Sequence, residues 1–298
     1  MLRLVSVFVL STLMQPSQAT CPPAGYDAGR LTTLRDRTFA LDDDAERNAL
    51  ALALLDCLGA PDPTLRDGIA FEALSTWLRG AKIAADTRTR MFDALLPMLE
   101  PAAGDEAGFR RPFAALVLSE VARTDRVAPW LDAAQRETLV AAATRYLASV
   151  DDYRGFDDRE GWRHGVAHGA DLLLQLVLNP ALDAAQIDRI LTSVAKQIAP
   201  AGEHFYVFGE PERLARPALY AAQRGTRNAE QWHTWFAAIA APAPLPDWHA
   251  AFRSRAGLAR RHNARAFLSA IYITARDDDD PKVSMLAPMA LASLREIP

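Results

Sequence analysis

His164 and His168 stand four residues apart, and Asp171 follows three residues further on. On a helix, residues three and four apart share one face. Two imidazoles one turn apart are a known chelating pair for zinc and similar divalent ions. Asp171 lies about 10 Å along the axis from His164, at 1.5 Å per residue. One ion bridging all three positions would be strained, so Asp171 would orient His168 from behind. Further ligands would come from Glu203, His204, Glu210 or Glu212. The pattern departs from the zincin motif, because Gly165 rather than Glu follows His164. The plain alternative is a pair of hydrogen-bonded structural histidines with Asp171 as a partner. Spacing alone leaves both readings open.

The residues around the pair have separable roles. Gly161, Gly165 and Gly169 recur every four residues, which suits close packing of another backbone. Trp162, Val166, Ala170 and Leu173 form a stripe expected in the core. Arg154, Asp157 and Asp158 precede the segment, and acids there suit a helix N-terminus. Glu210-Pro211-Glu212-Arg213 reads as another helix start, with Arg213 or Arg154 available to pair with a buried acid. The arginines at 253, 255, 260, 261 and 265, and the acids at 277–280, read as solvated faces. The acidic run lacks the spacing of a calcium loop. Nucleophile elbows, phosphate loops and dinucleotide fingerprints are absent from the sequence.

The elements that must position these residues are helical. Ala and Leu dominate, and apolar residues recur at helical spacing in most segments. The pattern predicts helices over 45–58, 65–78, 86–99, 111–122, 133–150, 161–178, 183–198, 212–224, 228–241, 247–256, 258–275 and 282–295. Residues 101–109, 151–160 and 199–211 are predicted loops, and 204–208 is the one piece expected to be extended. Short connections imply antiparallel neighbours. The expected fold is all-α, an irregular α-α superhelix built as a solenoid-like stack of helical hairpins, with a closed ring as the alternative. No linker demands two domains, so residues 20–298 are expected to form one.

Composition narrows the function classes. The chain is 50% hydrophobic with a formal net charge of −4, which gives no reason to expect nucleic-acid binding. Arg3, the apolar run 4–14 and the small residues Ser17 and Ala19 read as a signal peptide over 1–19. A periplasmic or secreted protein is expected, without stable membrane insertion once the signal is removed. Cys21 and Cys57 are the only cysteines. An exported chain permits a disulfide between them. Cys57 also sits on the apolar side of its helix, where a free thiol would pack equally well.

Five blocks of the sequence resemble a known family. They are Leu65-Arg66-Asp67-Gly68-Ile69-Ala70, Arg111-Pro112-Phe113-Ala114-Ala115-Leu116, Arg154-Gly155, the stretch from Gly161 to Asp171, and Glu210-Pro211-Glu212-Arg213-Leu214-Ala215. In that order they look like the bacterial family known as domain of unknown function 2785. The match is most specific from Gly161 to Asp171, and Pro112 stands where a small hydroxyl residue is expected. The resemblance implies a helical protein and no settled activity. It marks Asp67, Arg111, Arg154, His164, His168, Asp171, Glu212 and Arg213.

The expected function is a binding or scaffolding module. Its polar groove would be lined by Arg111, Arg154, Asp157, Trp162, His164, His168, Asp171, Glu210, Glu212 and Arg213. The occupant would be a protein or a small molecule. The alternative is a metal-dependent hydrolase with a divalent ion on His164 and His168.

Overall fold

The computed structural model describes residues 21–101, 105 and 107–298. The expected signal peptide lies outside them. The chain runs α1 (Ala28–Asp36), α2 (Asp44–Ala53), α3 (Pro63–Leu65), α4 (Glu72–Arg79), α5 (Ala85–Leu95), α6 (Arg110–Val127) and α7 (Ala133–Ala148). A small hairpin follows, β1 (Phe156–Asp157) and β2 (Gly161–Trp162). Then come α8 (Gly165–Val177), α9 (Ala184–Ile198), α10 (Glu210–Arg224), α11 (Ala229–Ala240), α12 (Arg255–Ala275), α13 (Pro281–Ser284) and α14 (Leu286–Glu296). The fold is all-helical apart from that hairpin.

Side-chain caps set most helix starts. Asp132, Asp183 and Asn228 each accept from the third helical N–H, while Gln135, Gln186 and Gln231 return the bond to the cap backbone. These reciprocal boxes satisfy two otherwise orphaned donors per helix. They open α7, α9 and α11, at intervals of roughly fifty residues, the length of one helical hairpin in such arrays.

The helices form two layers. In the first, α4, α6, α8, α10 and α12 each pack on the next. In the second, α7 lies on α8 and α9, and α9 lies on α8 and α10. At the end of the array, α14 packs on both α11 and α12. One continuous apolar core fills the space between the layers, from Leu31 to Ile297. Cys21 and Cys57 are bonded, with Cα atoms 5.1 Å apart. Among the described residues, no helix is long and apolar enough to cross a membrane.

The structure departs from the expected elements in several places, among them α1, a helix that the pattern did not predict. The helix expected over 161–178 begins only at Gly165. Gly161 (φ +72°) and His164 (φ 55°) adopt left-handed backbone, which no α-helix accommodates. Residues 156–162 instead form the hairpin, pairing Phe156 with Trp162 and Asp157 with Gly161. Asp157 closes its turn by accepting from the N–H groups of Arg159 (2.8 Å) and Glu160 (3.0 Å). A side chain at Gly161 would also collide with Pro63, whose Cβ lies 2.8 Å from the nearest added carbon.

Between α3 and α4, Arg66–Phe71 winds as a π-helix, a feature often found beside functional sites. Residues 204–208 pair with no strand. Asn263 holds them instead, accepting from Tyr206 N–H (2.9 Å) and donating to the His204 carbonyl (3.0 Å). The helix expected over 247–256 is a short 3-10 turn, Trp248–Arg253.

Candidate functional site

A cleft of about 690 Å³ opens on the first layer. Three helices contribute one face each. Phe113, Leu116 and Glu120 come from α6, His168, Asp171 and Gln175 from α8, and Arg213 and Arg216 from α10. Each set follows the three-and-four spacing of a helix face. Asp67, Gly68 and Phe71 enter from the π-helical turn, Trp162 and His164 from the hairpin, and Phe208 from the loop before α10.

The hairpin is held by groups beneath it. Arg66 is fully buried and donates to the carbonyls of Glu160 (2.6 Å) and Ala60 (2.8 Å). Its guanidinium lies over the Phe109 ring at 3.9 Å, where a cation is favoured. Arg163 donates to the Ala107 carbonyl at 2.7 Å. Gly155 leaves room for the Phe208 ring, since a Cβ there would sit 2.0 Å from Phe208 Cδ2.

His164 precedes α8 rather than lying within it. Its ring stacks on Trp162 at 4.7 Å between centroids and stands 5.7 Å from the His168 ring. His168 packs edge-on against Phe113 at 5.2 Å. Nε2 of His164 and Nδ1 of His168 are enclosed and make no hydrogen bond. Glu210, itself buried, places Oε1 4.0 Å from His164 Nε2, and its Oε2 accepts from Phe208 N–H at 2.9 Å.

Burial governs the protonation of this cluster. Desolvation, then the Arg213 charge, lowers the pKa of His164 to about 4, against the Phe208 carbonyl. Desolvation, then the charges of His164 and Arg213, holds His168 well below its ordinary value. Both rings are therefore neutral at pH 7, and the His164–Glu210 contact is no ion pair. Desolvation also raises Glu210, Asp171 and Asp67, with Arg213 opposing it at Asp171 and Arg66 opposing it at Asp67.

These directions predict an acid-labile cleft. An imidazole whose pKa falls on folding contributes stability that is complete above about 6.5 and lost as pH falls towards about 4. The raised carboxyls act in the opposite sense, because ionising them inside the fold is costly as pH rises. The histidine part is isolated by comparing wild type with a His164→Asn/His168→Gln variant in urea unfolding at pH 7.0 and 4.5. Wild type is expected to lose at least about 2 kcal/mol more than the variant over that interval, the part due to His164, with His168 adding to it. Equal losses would defeat the assignment.

The wall charges are held in pairs. Asp171 pairs with Arg213, not with His168. Glu120, 6% exposed, takes the Arg79 guanidinium on both its oxygens, with Nε 2.9 Å from Oε2. Asp67 Oδ1 lies 2.7 Å from Arg66 Nε, and Asp67 also accepts from Trp162 N–H.

The residues expected to share one groove divide between several places. Trp162, His164, His168, Asp171 and Arg213 line the cleft, and Glu210 backs it. Arg111 and Arg154 line a separate hollow of about 180 Å³ beside Asp105 and Asp152. There Arg154 pairs with Asp152, and Arg111 donates to the Leu99 carbonyl and to Ser149 Oγ. Asp157 is spent on its own turn, and Glu212 lines an adjoining groove between α10 and α12. Of the other expected metal ligands, His204 stacks on Tyr153 and Glu203 lies 3.8 Å from Arg255. Among the described residues, no three His, Cys, Asp or Glu side chains are placed to hold a metal ion.

Arg79, Glu120 and Arg216 belong to the cleft and were not singled out from the sequence. Glu120 carried a signal, as an acid inside the apolar run 113–122 of α6. Arg79 carried none, because a basic residue in a last helical turn reads as a dipole partner.

The fold and cleft define a two-layer helical-hairpin array with a charge-paired, aromatic-walled pocket. Compared with known families, residues 97–273 match the family described as Protein of unknown function (DUF2785). The chain belongs to that family. No curated protein and no solved structure matches it.

Proposed function

We propose that this chain is an exported binding protein whose cleft takes a small molecule. The observation that carries the reading is the cleft itself. Its volume of about 690 Å³ falls within the range of small-molecule sites, and it is lined by aromatic and ion-paired walls. Export is supported by the signal-like pattern of residues 1–19 and by the Cys21–Cys57 bond, which suits an oxidising compartment. The hydrolase alternative needs a third ligand beside His164 and His168. Asp171 is committed to Arg213, and Glu210 Oε1 stands 4.0 Å from His164 Nε2.

Gly68 gives a clean test, since a Cβ added there meets nothing within 4 Å. Gly68→Phe should therefore fill the cleft while leaving the fold intact. Thermal unfolding is followed for both proteins against a collection of small metabolites. A ligand at a hundred times its Kd adds about 2.7 kcal/mol. For a domain of this size the midpoint should rise by several degrees in wild type and not in Gly68→Phe. Equal responses in the two proteins, or none in wild type, would defeat the reading.

A further inference from the structure

We propose that the ligand of the cleft is a neutral saccharide. The proposal rests on the binding reading above and adds the ligand's chemical class.

The charges of the cleft are mostly paired, which favours a neutral ligand. Asp171–Arg213, Glu120–Arg79 and Asp67–Arg66 compensate one another within the walls. The two remaining charged groups of the lining, Glu72 and Arg216, are of opposite sign. A carboxylate or ammonium on the ligand that entered the paired walls would have to break one of these pairs. That would strand its partner in a half-buried site, a costly change.

The paired groups keep further hydrogen-bonding capacity. A carboxylate has about four lone-pair sites and a guanidinium five N–H donors, and one ion pair exhausts neither. Held in place by each other, they present acceptors and donors side by side at no rotamer cost on binding. In His164 and His168 the ring N–H is taken by the backbone carbonyls of Phe208 and Pro112, which leaves each a single enclosed acceptor nitrogen. A hydroxyl group is the ligand function that both gives and takes a hydrogen bond, and a sugar carries several on one rigid ring.

The apolar lining supplies the other half of the match. Phe71, Phe113 and Phe208 line the same cleft as these polar groups. A pyranose has C–H faces that pack on aromatic rings and a hydroxyl rim that meets polar groups. A polyphosphate or other highly charged ligand brings more charge than Glu72 and Arg216 can meet.

The test is calorimetric titration of full-length mature protein at pH 7 with EDTA present. The neutral probes are maltotriose, cellotriose, mannotriose and the trimer of N-acetylglucosamine. The charged probes are the glucosamine trimer and trigalacturonate. At least one neutral trimer is expected to bind with a Kd below about 1 mM, the scale of weak specific binding. The charged probes should bind at least tenfold more weakly, and Gly68→Phe should bind none. Failure of every neutral trimer to bind overturns the proposal. So does a neutral trimer that binds wild type and Gly68→Phe alike. A charged probe that binds wild type but not Gly68→Phe overturns the saccharide class while upholding a binding cleft.

Discussion

Replacing Arg66 by methionine is expected to cost about 3–5 kcal/mol of stability, the range for stripping partners from a buried charged network. The side chain is fully buried, yet it carries a charge that three surroundings share. Its donors satisfy the Ala60 and Glu160 carbonyls, its Nε lies beside Asp67, and its plane covers Phe109. Methionine keeps much of the apolar volume and removes every donor. The Glu160 carbonyl then loses the bond that fastens the hairpin, and Asp67 is left without its counter-charge. Urea unfolding measures the loss, and hydrogen exchange locates it. Amides of residues 160–164 should exchange faster than those of α12, which lies far from the change. Uniform acceleration would mean that Arg66 stabilises the fold generally and has no special hold on the cleft.

Removing the Cys21–Cys57 bond is the second large change. The bond spans 36 residues. The chain-entropy relation assigns such a loop about 4 kcal/mol. The bond ties the start of the described chain to the turn after α2, near one end of the array. A Cys21→Ala/Cys57→Ala protein should unfold at lower urea by that amount, with a larger m-value as the unfolded chain expands. Reduced wild type should match it. A variant as stable as the oxidised protein would show that packing around Leu54 and Leu58 already fixes this end.

Much of this architecture was legible beforehand, and the misses have specific causes. Helical spacing placed His168 and Asp171 together, and both line the cleft from α8. The same reasoning failed at His164, because a two-residue hairpin is too short to show alternation. A left-handed histidine also gives no warning in its sequence. Asp171 was paired locally with His168, while its partner, Arg213, lies 42 residues away. Arg66 was passed over because arginine ordinarily marks a surface. Arg154 and Asp157 were grouped with the cleft by nearness in sequence, and the hairpin turns them away from it.

The reciprocal caps at Asp132, Asp183 and Asn228 bear on how the chain folds as well as on where its helices start. Each helical hairpin brings its own punctuation, written within four residues and independent of distant partners. The frame of α7, α9 and α11 can thus be set as soon as each segment leaves the ribosome. Helix-rich chains dominated by local contacts fold quickly, because little loop entropy is lost before contacts form. In this array, order would spread from one hairpin to the next. The interlocked arginine contacts that shape the cleft would form last, once the hairpins they join are in place.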